Sequence, residues 1–220
     1  MRVIVLAAGQ GYQLDGFNKL LINDPRDGST VIDKYIRAFE GMPITVVVGY
    51  RAINVMSRYR HLDYVFNPNW AVSNNSYSLS LAVSEDPCYV ISGDLFLEPE
   101  LIEMLEKAGP NLVLTAKKEN RPPNTLNCSL DEINRILEVY PGKPKSLSDP
   151  EAVGLYKISD PELLIAWKRN CVEYTNLFIG QNLPLDAATP IYSVDLGSHR
   201  LDEVNTPLDY IRLLQEHRRG

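Results

Sequence analysis

The chain opens on Arg2-Val3-Ile4-Val5-Leu6-Ala7, a short apolar run with no polar interruption, and passes directly into Ala8-Gly9-Gln10-Gly11. A run without alternation suits a strand covered on both faces, as in a parallel sheet flanked by helices. Such a strand carries the loop at its C-terminal end to the crevice where open α/β sheets hold ligands. Gly9 and Gly11 lack a Cβ, so the loop can take positive φ and bring backbone N–H groups close to phosphate oxygens. Lys19 comes next and supplies a cation. A buried strand, an amide-lined turn and a lysine in this order suit the phosphates of a nucleoside triphosphate. Leu6, Ala7, Ala8, Gly9, Gln10, Gly11, Tyr12 and Gln13 form the candidate nucleotide-binding loop, with Lys19 as the candidate catalytic residue.

Spacing demotes two commoner phosphate loops. A P-loop needs Gly-Lys-Ser/Thr at the helix start, whereas Lys19 is followed by Leu20; a dinucleotide fingerprint needs a third glycine where Leu14 stands.

The pattern continues as alternating strands and helices. Val31 to Phe39 repeats apolar residues at helical spacing behind a capping Thr30, and Ile44 to Val48 reads as a second buried strand. Next come a helix near Ile53 to Tyr59, a strand at Tyr64 to Phe66, a helix from Ser76 to Ser84 and a strand from Cys88 to Ser92. A helix from Pro99 to Lys107 and a strand at Leu112 to Thr115 close the first half. This alternation predicts right-handed βαβ units and a parallel sheet. Lys117 to Asp149 is more polar and reads as a hairpin-bearing excursion, with strand candidates between Ile133 and Val139. The chain returns through Ala152 to Ile158, a helix at Pro161 to Lys168, a strand at Ile191 to Leu196 and a terminal amphipathic helix from Pro207 to His217. The expectation is a single α/β domain over 1–220, with a nucleotide-binding half at 1–115 and an acceptor-binding half at 116–220.

Composition narrows the function classes. A formal net charge of −6 without a basic stripe argues against binding to nucleic acid, which relies on clustered Lys and Arg. Cys88, Cys128 and Cys171 are too scattered for a disulfide framework or a zinc site, so they are expected to be buried small hydrophobes in a reducing compartment. With neither a signal peptide nor an apolar run of spanning length, the chain is expected to be cytoplasmic, without membrane insertion.

A second chemical site lies in Tyr89-Val90-Ile91-Ser92-Gly93-Asp94, an apolar strand that delivers a carboxylate to the sheet edge where the first loop lies. Phosphoryl chemistry uses Mg²⁺ held by one or two carboxylates, with substrate phosphates completing the shell. Asp94 is a candidate for that role.

The first loop resembles the signature of nucleotidyltransferases with a Rossmann-like N-terminal half, Leu-x-x-Gly-x-Gly-x-Arg-Leu followed by Pro-Lys-x-Leu. Gln13 stands at the arginine position and Asn18 at the proline position. Losing the arginine removes a charge-assisted donor to the triphosphate, and Arg26 is the proposed substitute. The resemblance implies a three-layer α/β/α fold with a mostly parallel mixed sheet, of the nucleotide-diphospho-sugar transferase type. It also implies Mg²⁺ as cofactor, with Asp94 as metal ligand. The segment Leu201 to Tyr210 resembles the family's Ile-Asp-Thr-Pro-Glu-Asp ending, which puts Asn205 at the metal-side aspartate and Glu203 two residues before it. Read without the resemblance, Asn205-Thr206-Pro207 is also a good helix start.

Phe66-Asn67 through Asn74-Asn75-Ser76-Tyr77-Ser78-Leu79 is similar to the choline-phosphate and aminoethylphosphonate cytidylyltransferases, which implies CTP as the nucleotide. Asn74, Asn75, Ser78 and Gly93 are then candidate nucleotide contacts, although Ser78 serves equally well as a helix packing residue. The implied acceptor is a small phosphorylated or phosphonate compound, with Lys143, Lys145, Tyr156 and Tyr174 as candidate contacts; a homo-oligomer is compatible with all of this. Two other readings stay open: a sugar-phosphate or molybdopterin nucleotidyltransferase, and a non-catalytic nucleotide-binding regulator. A serine or cysteine hydrolase is poorly supported, since no Gly-x-Ser-x-Gly elbow is present.

Overall fold

The structure is a computed structural model that describes residues 1–118 and 121–217. In chain order it runs β1 (Arg2–Ala7), α1 (Val31–Ala38), β2 (Ile44–Val48), α2 (Ala52–Arg58), β3 (Asp63–Phe66), α3 (Asn75–Ala82), β4 (Cys88–Ser92), β5 (Leu95–Leu97), α4 (Pro99–Ala108) and β6 (Asn111–Ala116). The hairpin of β7 (Leu126–Leu130) and β8 (Ile136–Pro141) comes next, then β9 (Glu151–Ile158), α5 (Pro161–Glu173), β10 (Tyr192–Asp195), β11 (Leu201–Glu203) and α6 (Pro207–His217).

Across the main sheet the order is β10-β6-β9-β4-β1-β2-β3, with the β7–β8 hairpin attached to β9. β1 pairs parallel with β2 and β4, β2 with β3, and β6 with β10. β9 runs antiparallel to both its neighbours, which makes the sheet mixed. Alternation along β1 builds the layers. Val3 and Val5 share one core with α1, α2 and α4, while Ile4 and Leu6 share the other with α3 and α5. The fold is therefore the three-layer α/β/α arrangement expected.

From β1 the chain winds outward to β2 and β3, then returns to the opposite side of β1 as β4. That reversal puts a crevice over the C-terminal end of β1, where open sheets of this kind bind ligands. Outside the main sheet, β5 and β11 form a two-stranded antiparallel ribbon with Leu95 opposite Glu203. In the hairpin, β8 starts at Ile136, three residues later than expected. The Asp131 carboxylate accepts the N–H groups of Ile133 and Arg135 at 3.0 and 2.8 Å and draws those residues into the turn.

A buried ion network connects the segment after Lys19 to the ribbon. Asp24, fully buried, accepts from Arg26 Nη2 at 2.6 Å and lies 3.0 Å from Lys34 Nζ. Lys34 also meets Asp27 and Glu98, and Arg26 meets Asp202. Burial alone would raise the Asp24 carboxyl, but hydrogen bonds from Arg26 and Lys34 outweigh it and hold the group below its ordinary value. Asp33, which completes the capping box with Thr30, is held down as well, despite burial, by hydrogen bonds from Thr30 and Tyr59. For both groups the folded chain binds a proton less readily than the unfolded one. Their stabilisation is then present above pH ~4 and is lost as pH falls below it. Thermal melts should show a Tm that is level from neutral pH down to about 5 and falls by several degrees by about pH 3.5; a level Tm down to that acidity would contradict this.

All three cysteines are buried, and burial pushes their thiols up to about 12. None is poised as a nucleophile. Among the described residues no helix is long and apolar enough to cross a membrane.

Candidate functional site

The loop after β1 closes on itself. Gly11 has φ 61°, and its carbonyl accepts the N–H groups of Leu14 and Gly16 at 2.9 and 3.3 Å. A Cβ on Gly11 would lie 3.0 Å from the Phe17 carbonyl oxygen, so glycine is required there twice over. The positive φ that the loop's glycines permit occurs at Gly11 and Gly16, and Asp15 adopts it as well, whereas Gly9 does not. Gly9 instead faces open space, with no atom within 4 Å of where a Cβ would sit. Leu6 and Ala8 are buried, and their carbonyls accept Gly93 N–H and Tyr50 N–H, each at 3.0 Å. Ala7 and Gln10 are half-buried, Tyr12 is exposed, and Gln13 lines the cleft that the sheet edge forms with the second half of the chain.

A single 3₁₀ turn, Lys19–Leu21, presents the lysine; the Asn18 side chain caps it by accepting Leu20 N–H at 3.1 Å. Lys19 Nζ donates to Asp94 Oδ2 at 2.9 Å and to Asn205 Oδ1. One ammonium thus joins three chain segments that lie far apart in sequence. Asp94 leaves the sheet through Gly93, where a Cβ would fall 2.9 Å from the Leu6 carbonyl oxygen, so β4 could not end so close to β1 with any other residue. Tyr35 from α1 secures the turn: its hydroxyl donates to the Ser92 carbonyl at 2.6 Å and accepts Leu95 N–H at 3.1 Å. Sequence reasoning misses this tyrosine, because a core position on an amphipathic helix conceals a hydroxyl that reaches the next layer.

The third segment is the ribbon together with the start of α6. Val204 N–H donates to the Asp94 carbonyl at 3.1 Å, and Asn205 Nδ2 donates to Glu203 Oε1 at 2.6 Å. Asp209 accepts the N–H groups of Asn205 and Thr206 at 3.1 and 2.8 Å, so Asn205 helps begin α6 while its side chain serves the site. Glu203 reaches water in the cleft, but protein surrounds it on its other sides. That partial burial, then the Asp94 charge, raises its carboxyl above the usual carboxylate range. Asp94 Oδ1 is buried and has no hydrogen-bond partner among the described residues. These oxygens fit a hard divalent cation, since Mg²⁺ is held by one or two carboxylates while substrate phosphates and waters fill its shell.

Lys19, Asp94, Glu203 and Asn205 line one side of a cleft of about 750 Å³. Gln13, Asn75, Lys118, Glu151, Phe178 and Arg212 also line it. Asn75 accepts Ile179 N–H at 2.9 Å, and Asn74 donates to the Asn176 carbonyl at 3.3 Å, so both residues tie α3 to the segment after α5. Ser78 is a correction: it is buried, accepts Asn67 Nδ2 at 2.9 Å and does not line the cleft.

Most acceptor candidates also lie elsewhere. Lys145 is exposed, paired with Glu138 at 2.6 Å and set 4.3 Å over the Tyr140 ring. Lys143 and Tyr174 are exposed as well, and none of the three lines the cleft. Tyr156 does line it, but from a buried position with its ring 5.5 Å from that of Trp167. Among the described residues, the basic ones that line this cleft besides Lys19 are Lys118 and Arg212. Lys118 Nζ lies 3.4 Å from Glu151 Oε2, a buried atom with no hydrogen-bond partner among the described residues. Arg26 is committed to Asp24 and Asp202 and cannot replace the missing loop arginine.

Residues 3–175 match the family described as the MobA-like NTP transferase domain. No curated protein matches the chain in sequence. Among solved structures, the CTP:phosphocholine cytidylyltransferase of Streptococcus pneumoniae is similar, with TM-score 0.78, 17% identity and 98% of each chain covered. The inositol-1-phosphate CTP transferase of T. maritima has TM-score 0.74 and 18% identity, covering all of this chain and 96% of its own. A nucleoside-diphosphate-sugar pyrophosphorylase of Vibrio cholerae RC9 has TM-score 0.75 and 15% identity, covering 98% of this chain and 100% of its own.

Proposed function

The chain belongs to the MobA-like NTP transferase family, and on that premise we propose that it transfers CMP from CTP to a small phosphorylated or phosphonate acceptor, releasing pyrophosphate. The observation that carries this reading is the Lys19 ammonium set between Asp94 and Asn205 at the carboxyl edge of the sheet, in a cleft that Gln13 of the loop after β1 also lines. In that position Lys19 neutralises charge on the triphosphate, and the loop N–H groups hold its oxygens. Asp94, Glu203 and Asn205 would hold Mg²⁺, which when bound supplies further charge neutralisation at the phosphates.

An acceptor phosphate or phosphonate oxygen attacks the α-phosphorus in line, the bond to the β-phosphate oxygen breaks, and pyrophosphate leaves with that electron pair. No covalent enzyme intermediate is required. Catalysis consists of positioning and electrostatic stabilisation. Lys118, which lines the same cleft from the end of β6, is suited to the acceptor's phosphoryl group, in place of Lys143 and Lys145.

The similarity to two CTP-using enzymes supports cytosine as the base, and the run from Asn74 to Leu79 supports the same subfamily. A pyrophosphate-release assay with four nucleoside triphosphates and a panel of acceptors tests the proposal. Release is expected with CTP, Mg²⁺ and phosphocholine or 2-aminoethylphosphonate. Release that needs a sugar 1-phosphate instead would transfer the chain to the sugar-nucleotide reading, and nucleotide binding without release under any combination would favour a regulator.

A further inference from the structure

The ion network around Asp24 lies beside the cleft, which its member Asp202 also lines, and it joins the two segments that meet at Lys19. Asp24 comes three residues after the Lys19–Leu21 turn. Its carboxylate is fully buried and receives Arg26 Nε at 2.7 Å, Arg26 Nη2 at 2.6 Å and Lys34 Nζ at 3.0 Å. From this hub Arg26 reaches β11, and Lys34 reaches the residue that follows β5 and begins α4. Arg26 Nη1 lies 3.3 Å from Asp202 Oδ2 on β11, and Lys34 Nζ lies 2.9 Å from Glu98 Oε1 just past β5. Arg200 Nε reaches the same Asp202 oxygen at 2.7 Å from the exposed side. The ribbon in turn carries the site, with Asp94 immediately before β5 and Glu203 and Asn205 at the end of β11.

A two-stranded ribbon of three residues per strand has little rigidity of its own, and Asp94 and Asn205 both extend from its Leu95–Glu203 end. We infer that Arg26 and Lys34, joined through Asp24, clamp both strands of this ribbon and so set the spacing between Lys19 and the oxygens of Asp94, Glu203 and Asn205. Both are positioning residues that touch neither substrate nor cation. The inference rests on the reading of Asp94, Glu203 and Asn205 as a divalent-cation site.

The test is Mn²⁺ binding to the unliganded protein, followed by electron paramagnetic resonance in the parent and in Asp94→Asn, Asp202→Asn and Arg26→Gln. Groups that orient metal ligands typically change affinity by 10–100-fold, so Asp202→Asn and Arg26→Gln should each weaken Mn²⁺ binding by about tenfold. Charge alone predicts opposite signs, because removing a cation beside the site tightens metal binding and removing an anion loosens it. Weakening in both variants supports the clamp, and tighter binding in Arg26→Gln overturns it. If Arg26→Gln does not fold, Glu98→Gln, which breaks the Lys34 arm at a side chain that does not line the cleft, decides in about 0.5 M KCl, where through-space effects are screened. A loss that persists there supports the clamp; parent-like affinity overturns it. Asp94→Asn separates the two failures. If it alone loses Mn²⁺ the clamp falls and the cation site stands, whereas parent-like binding in Asp94→Asn removes the site and the clamp with it.

Discussion

Lys19→Ala is expected to lower kcat by about 10²–10³-fold, the size of effect seen when one preorganised donor to a developing charge is removed. The Lys19 side chain is only 24% exposed and is aimed by the Asn18-capped turn and by its bonds to Asp94 and Asn205. An ammonium held in this way needs little reorganisation as negative charge builds on the departing pyrophosphate. KM for CTP should rise less than kcat falls, since the loop N–H groups continue to hold the triphosphate. The fold should survive with a small fall in Tm: a partly exposed ion pair contributes little, but the charges of Asp94 and Glu203 would then repel without the nearby ammonium to offset them. Steady-state kinetics beside a thermal melt separate the two effects. A kcat close to that of the parent would remove Lys19 from the chemistry.

The second large effect is predicted for Asp94→Asn. Asp94 accepts from Lys19 and is a near neighbour of Glu203, and its second oxygen is buried without a partner among the described residues. The amide removes the charge that holds Lys19 and with it the principal carboxylate of the cation site. Turnover should fall by at least about a hundredfold, and the Mg²⁺ concentration needed for half-maximal rate should rise. An unchanged Mg²⁺ requirement would place the cation elsewhere. The substitution leaves the backbone role intact, because Val204 N–H binds the Asp94 carbonyl and not its side chain. Loss of activity without loss of fold is therefore the expected pair of results.

The architecture is legible in the sequence wherever apolar runs are long enough to declare themselves. Val3 to Leu6, Ile44 to Val48 and Cys88 to Ile91 each read as strands, and each lies in the core. Lys19 and Asp94 can be brought to one edge because each lies at or beyond the C-terminal end of a parallel strand, a relation that comes from topology alone. Strand direction is less visible. Glu151–Ile158 is as apolar as its neighbours, and nothing in the run declares that it lies antiparallel between β4 and β6. The ribbon escapes notice because Leu95–Leu97 and Leu201–Glu203 are too short for any alternation to register.

Residue type is a poor guide on the acceptor side. Lys143 and Lys145 stand out as cations in a polar stretch, but the hairpin carries them away from the cleft, and Lys145 is satisfied by Glu138. Tyr35 is one of 12 tyrosines, so its chemistry cannot be told from packing until Ser92 and Leu95 are placed beside it. Arg26 illustrates the same limit. Its charge suggests a phosphate partner, yet a buried aspartate two residues away claims the guanidinium. Spacing predicts where chain segments converge, whereas the partners of individual side chains depend on packing between distant segments.

The most direct test is a crystal structure of the protein with CTP and Mg²⁺. The triphosphate is predicted to lie against the Gly9–Gly11 loop with Lys19 Nζ on its oxygens and the metal ion on Asp94. A triphosphate bound away from Lys19, or a metal ion held without Asp94, would contradict the account.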